Sequence, residues 1–177
     1  KKAADWNSLV FSDWSPQTQH DVSISGGGDK YQYYVSMGYL FQEGFFRSRD
    51  LNYSKYNLRS NINAEIFNGL NMNFSVSALA DARRTPDSDA VTLIRNLWKQ
   101  GVLFPAYVDE EQTMLNYDGL DLEQNTVAMM TADISGYKKY RQKQFQTSAS
   151  LEYDFGTLTD VLQGLTLKGL ASYDYRF

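Results

Sequence analysis

A chain of 177 residues with a formal net charge of -4 has room for one domain and lacks the broad basic surface that nucleic acid demands. The absence of cysteine excludes disulfides and thiolate metal sites, and no run of about 18 apolar residues is present to make a membrane-spanning helix. Tyrosine (13) and phenylalanine (10) are abundant and proline (3) is scarce, which favours strands, because proline cannot donate to a ladder.

The first twenty residues, including Trp6, Phe11, Trp14 and Pro16, keep no period and read as a loop. From Asp21 to Ser25 the chain alternates, with Val22 and Ile24 on one face, and Gly26-Gly27-Gly28-Asp29 reads as the turn that follows. Next comes a long strand with Tyr31, Tyr33, Val35, Met37, Tyr39 and Phe41 opposite Gln32, Tyr34, Ser36 and Gly38, ended by Gln42-Glu43-Gly44. The third strand sets Tyr56, Leu58, Ile62, Ala64 and Ile66 against Asn57, Arg59, Asn61, Asn63 and Glu65. Asn68-Gly69 then predicts a type I′ hairpin, which wants positive φ at both positions. The fourth strand sets Leu70, Met72, Phe74, Val76 and Ala78 against Asn71, Asn73, Ser75 and Ser77.

Residues 81–140 read as one long loop, expected on the extracellular side. Asp87 or Ser88 is expected to cap a helix near 88–100, with Val91, Ile94, Leu97 and Trp98 as its apolar stripe and Gly101 as its stop. The rest, through Pro105, Tyr107, Asp118, Gly119 and Gly136, reads as irregular; loops beyond about 12–15 residues are usually functional or disordered. A fifth strand puts Phe145, Thr147, Ala149, Leu151, Tyr153 and Phe155 on one face and Gln144, Gln146, Ser148, Ser150, Glu152 and Asp154 on the other. After a connection around Asp160 to Gly164, the last strand carries Leu165, Leu167, Ala171, Tyr173 and Tyr175 on one side.

These runs exceed the ~5–6 residues usual in soluble strands and suit the ~9–11 of a tilted bilayer crossing. Short and long connections alternate, as they do in outer-membrane barrels, where only every second residue meets lipid. The expected fold is therefore all-β: an antiparallel meander of long hairpins from a transmembrane β-barrel, about six strands across 1–177, with a short helix in a long loop. Lys1-Lys2-Ala3-Ala4-Asp5 has no signal-peptide core and the chain stops inside a strand-like pattern, so an internal piece of a longer protein is expected. Alternation also describes a soluble sheet packed on one side, which makes a soluble all-β carbohydrate-binding or adhesion module the alternative.

No nucleophile–base constellation stands out, so no enzyme is expected. His20 lacks partner histidines or cysteines and reads as a polar wall residue. Gly26-Gly27-Gly28 lacks the glycine-lysine of a phosphate loop. Asp109, Glu110, Glu111, Asp118, Asp121 and Glu123 do not follow an EF-hand spacing and read as a solvated loop, although acidic oxygens suit calcium. Arg83 and Arg84 could meet anionic substrate or lipopolysaccharide, and Trp98, Tyr107 and Tyr117 could stack on sugar rings, against a default of loop packing. The helix stripe is expected to dock on neighbouring loops.

A resemblance emerges at Gln19-His20-Asp21-Val22-Ser23-Ile24-Ser25-Gly26-Gly27, Tyr33-Tyr34-Val35-Ser36-Met37-Gly38-Tyr39-Leu40, Gln42-Glu43-Gly44 and Tyr56-Asn57-Leu58-Arg59-Ser60-Asn61-Ile62. With Asp5-Trp6 upstream and Pro105-Ala106-Tyr107-Val108-Asp109 in the loop, the chain resembles the barrel segment of SusC/RagA-type TonB-dependent outer-membrane transporters. That resemblance implies a barrel of about 22 strands with a plug, of which this piece would be roughly the second to seventh. It also implies TonB coupling through regions absent here, a SusD-like surface lipoprotein partner, glycan or peptide cargo, and the outer membrane of a Gram-negative bacterium. No cofactor and no nucleic acid are implied. Asn57, Arg59, Asn61, Asn73, Gln144 and Gln146 would then face the hydrated lumen, with the alternate apolar residues on membrane lipid.

Overall fold

The structure, a computed structural model, describes residues 4–101, 103–117 and 124–177. Six strands form one sheet in sequence order: β1 (Gln17–Gly28), β2 (Tyr31–Glu43), β3 (Asn52–Phe67), β4 (Leu70–Pro86), β5 (Tyr137–Asp154) and β6 (Thr166–Arg176). It is an antiparallel meander that does not close on itself. At 16, 17 and 18 residues, β3, β4 and β5 outrun the ~9–11 of a bilayer crossing.

Alternation fixes the register as well as the faces. Phe145, Thr147, Ala149, Leu151 and Tyr153 stand opposite Tyr175, Tyr173, Ala171, Gly169 and Leu167, apolar against apolar. The other side pairs Gln144 with Arg176, Gln146 with Asp174, Ser148 with Ser172, Ser150 with Leu170, and Glu152 with Lys168, the last an ion pair of 3.1 Å and Leu170 the one apolar side chain in the row. A slip of one residue would turn both rows onto the wrong faces.

Several boundaries differ from the sequence expectation. The first twenty residues hold a short helix, α1 (Trp6–Val10), capped by the Asp5 carboxylate, and the start of β1. Gly26, Gly27 and Gly28 lie within β1, and Asp29-Lys30 makes the turn. Glycine is used at position 26 because the Tyr33 ring lies over it; a Cβ there would come 2.7 Å from Tyr33 Oη. Of Asn68-Gly69 only Gly69 has positive φ (85°), so the turn is not type I′. β4 continues to Pro86 and β5 starts at Tyr137, which narrows the excursion to 87–136, because backbone pairing continues where apolar alternation fades. Phe155 and Leu165 fall in the connection, with Phe155 N donating to Leu165 O at 3.0 Å.

The chain divides into two compact units. One is the sheet: Gln19–Leu40, Lys55–Asp81 and Arg141–Phe177. The other gathers Lys1–Thr18, Phe41–Ser54 and Ala82–Tyr140, and it has its own hydrophobic core of Trp6, Val10, Phe46, Leu93, Leu97, Ala106, Val127, Met129 and Met130. Beyond α1, α2 (Ala90–Lys99) and α3 (Thr126–Met130) supply it, and α4 (Ala132–Ser135) follows α3. Asp89, not Asp87 or Ser88, caps α2, because its carboxylate reaches both Thr92 N and Thr92 Oγ1 at 2.9 Å. Asp87 instead pairs with Lys138 at 3.3 Å. The buried stripe of α2 is Leu93 and Leu97, whereas Val91 is exposed and Trp98 is 80% exposed. Much of the stretch expected to be irregular is therefore packed.

Candidate functional site

The polar face of the sheet gathers most of the hydrogen-bonding side chains singled out above. Asn57, Arg59 and Asn61 follow one another along β3, Asn73 lies on β4, and Gln144 and Gln146 lie on β5. Arg59, Asn61 and Gln146 line one groove of about 340 Å³, joined by Ser75 and Ser77 from β4, Ser148 from β5, and Ser172 and Asp174 from β6. Asn61 also borders a second groove, of about 650 Å³, with Ser25, Gln32, Tyr34 and Asn63. Asn73 lies in a third, with Asn63, Glu65, Asn71 and Glu152. Asn57 and Gln144 are outside these three: Asn57 Oδ1 fills the space over Gly38, and Gln144 pairs with Arg176. Ser148 falls on the polar face that its strand's alternation predicts, whereas Ser172 and Asp174 carry no motif of their own.

The floor of the groove is tied across β4 and β5. Ser75 Oγ and Ser148 Oγ are 2.7 Å apart, and Asn73 Nδ2 donates to Ser150 Oγ at 3.4 Å. Thr147, the hydroxyl residue in the apolar row, donates to Ser75 O at 3.2 Å, which satisfies it. Arg59 and Asp174 give the groove one charge of each sign. Such a wall can exchange hydrogen bonds with water, hydroxyls and amides, and it holds no nucleophile with a base.

The opposite face is apolar and open. Val22, Ile24, Met37, Leu58, Phe74 and Tyr173 all remain exposed. His20 stands on this side rather than on the polar wall: its ring stacks on Tyr39 (centroids 6.3 Å), which meets Tyr56 at 4.8 Å. Even positions of β1 face this way, and an aromatic row absorbs an imidazole ring.

In the loop-rich unit the recognition candidates separate. Arg83 is exposed, whereas the Arg84 guanidinium binds Asp50 at 3.2 Å and lies 4.5 Å from the Tyr137 ring centroid. The other Asp50 oxygen accepts from Ala132 N at 2.8 Å. Arg84 is thus built into the fold of that unit. Tyr107 bridges to Leu115 and is half-buried; burial, then the nearby Asp109, raises its hydroxyl pKa. Trp98 and Tyr117 are exposed. Asp109 is held down to about 2, first by the Thr113 hydroxyl and then by Met114 N–H, hydrogen bonds that close its own turn. Asp118, Asp121 and Glu123 lie outside the described residues. A fully buried residue that carried no sequence signal organises this unit. Asn125 Nδ2 donates to Ala106 O and Asn116 O at 3.1 Å, while its Oδ1 accepts from Val127 N and Ala128 N.

No protein-family model matches the chain, and no curated protein matches it. Solved structures do. A chain of the RagAB peptide importer in its closed-closed state superposes with a TM-score of 0.69 at 24% identity, covering 98% of this chain and 19% of that one. A chain of the RagAB peptide transporter does so with a TM-score of 0.63, at the same identity and coverage. This chain spans 19% of their length, and the likeness is one of fold: the open six-stranded meander is similar to a fragment of their barrel.

Proposed function

We propose that this chain is a stretch of the wall of an outer-membrane transporter in a Gram-negative bacterium, with the polar face on a hydrated lumen and the apolar face on lipid. The observation that carries this reading is the division of faces that runs from β1 to β6, broken at few positions such as Leu170 opposite Ser150, with a row of large apolar side chains left exposed on one side, as soluble monomers rarely leave them. Dimensions support it. Lys143 and Tyr153 are ten residues apart on β5, about 34 Å along the strand and about 26 Å when tilted by ~40°, close to the ~25 Å apolar band of such barrels. Phe67, Tyr153 and Phe155 cluster at the end with short turns, and Tyr39 and Tyr56 lie toward the other, as interfacial aromatic girdles would. The fold shared with the RagAB importer supports nutrient import driven through TonB, with a SusD-like surface lipoprotein as partner and peptides or glycans as cargo.

Thiol labelling in vesicles tests it on the full-length protein. Phe74→Cys and Val76→Cys should react with a lipid-soluble maleimide and resist a charged aqueous reagent, and Ser75→Cys should do the reverse. Equal aqueous reactivity at all three positions would favour the soluble-module alternative.

A further inference from the structure

We propose that a trough on the apolar face binds one phosphate-bearing lipid, its acyl chain lying over Ala78 and Ala80 and its phosphate meeting Arg141 and Lys143. The site rests on the membrane reading above. On β4 the outward row falls from Phe74 and Val76 to Ala78 and Ala80, while β3 keeps Tyr56 and Leu58 on one side and β5 and β6 keep Phe145 and Tyr175 on the other. The result is a trough of about 400 Å³ with an almost wholly apolar lining and space for an extended hydrocarbon chain.

At its head the chemistry changes. Arg141, Lys143 and Phe145 are successive same-face residues of β5, so two cations stand in line with the trough where the apolar row ends. Both are exposed, and among the described residues neither has a carboxylate within ion-pair distance. The Lys143 ammonium instead lies 6.0 Å from the Phe177 ring centroid. The groups around it on this face are Ala80, Phe145, Tyr175 and Phe177, none of them anionic. A guanidinium fork beside an ammonium suits phosphate oxygens, and the long side chains can reach up to the headgroup level while their stems stay on apolar surface. An apolar trough continuous with paired cations fits a lipid better than free phosphate, which would leave the trough empty.

The test uses the full-length protein extracted in mild detergent, with bound lipid read by native mass spectrometry and phosphorus assay. Wild-type protein should retain a phosphate-bearing lipid. Arg141→Gln with Lys143→Gln, and separately Ala80→Phe, should each lose most of it while keeping heat-modifiable migration on gels. Excess inorganic phosphate should not displace the lipid. Undiminished retention in both variants, retention of neutral lipid alone, or displacement by inorganic phosphate would overturn the site and leave the barrel standing. A wild-type protein with neither heat-modifiable migration nor bound lipid would overturn both readings.

Discussion

Ser75 and Ser148 join β4 to β5 through a hydroxyl contact of 2.7 Å, one residue from Phe74 and Val76, whose side chains point to the opposite face. Neighbouring positions should therefore respond in opposite ways. Phe74→Arg or Val76→Arg should cost ~2–4 kcal/mol if those sites lie near the bilayer midplane. Ser75→Ala loses one hydrogen bond between neutral groups and should cost about 0.5–1.5 kcal/mol. Folding titrations of the full-length protein into lipid vesicles measure both, and equal costs at positions 74 and 75 would count against a lipid-facing surface.

Asn125 ties three segments of the loop-rich unit together. It caps α3 and bonds two carbonyls, so Asn125→Ala removes a cap and one hydrogen bond each from Ala106 O, which keeps Asn116 N at 2.8 Å, and from Asn116 O. The expected loss is roughly 2–4 kcal/mol, the sum of a capping contribution and two lost hydrogen bonds. Limited proteolysis should then cut within 87–136 while the sheet strands stay protected. Unchanged protection there would show that the core is held by its apolar contacts alone.

Acid should loosen one turn before the rest. The Asp109 carboxylate accepts from Thr113 N at 2.9 Å and Met114 N at 2.8 Å, and its pKa falls from an ordinary 3.8 to about 2. A depressed folded-state pKa contributes stability that is complete above the unfolded value and disappears as pH falls from about 4 toward about 2. Hydrogen exchange of the Thr113 and Met114 amides should follow that window, and Asp109→Asn should flatten the profile. A midpoint near 4 in the parent protein would contradict it.

The sheet was legible because each strand carries its faces in its sequence. The Phe145 row and the Tyr175 row could be assigned separately, and their pairing follows from putting like against like. The loop-rich unit was not legible for the converse reason. Trp6, Phe46, Leu93 and Val127 meet across long sequence separations from short pieces that have no period of their own. On α2, Leu93 was omitted from the stripe and Trp98 included, since a helix ten residues long offers two overlapping apolar arcs and only its tertiary partner selects one. The glycines of β1 misled because glycine serves both a turn and an aromatic ring lying across a strand, and Tyr33 supplies the second use.

That core also changes how recognition by the loops should be tested. Removing Pro105 to Asp121 would take out Ala106 and Asn116, both of which accept from Asn125, so loss of uptake after such a deletion would report unfolding as readily as recognition. Trp98 and Tyr117 avoid the difficulty, because both are exposed and outside the core cluster. Substitution at exposed positions usually changes stability by no more than about 0.5 kcal/mol. Trp98→Ala combined with Tyr117→Ala should leave proteolytic protection of 87–136 and heat-modifiable migration unchanged. If these side chains contact cargo or a lid partner, capture should weaken several-fold, since exposed aromatics on a rigid support are efficient binding anchors. Full capture by the double variant, with protection also intact, would move recognition away from these two residues.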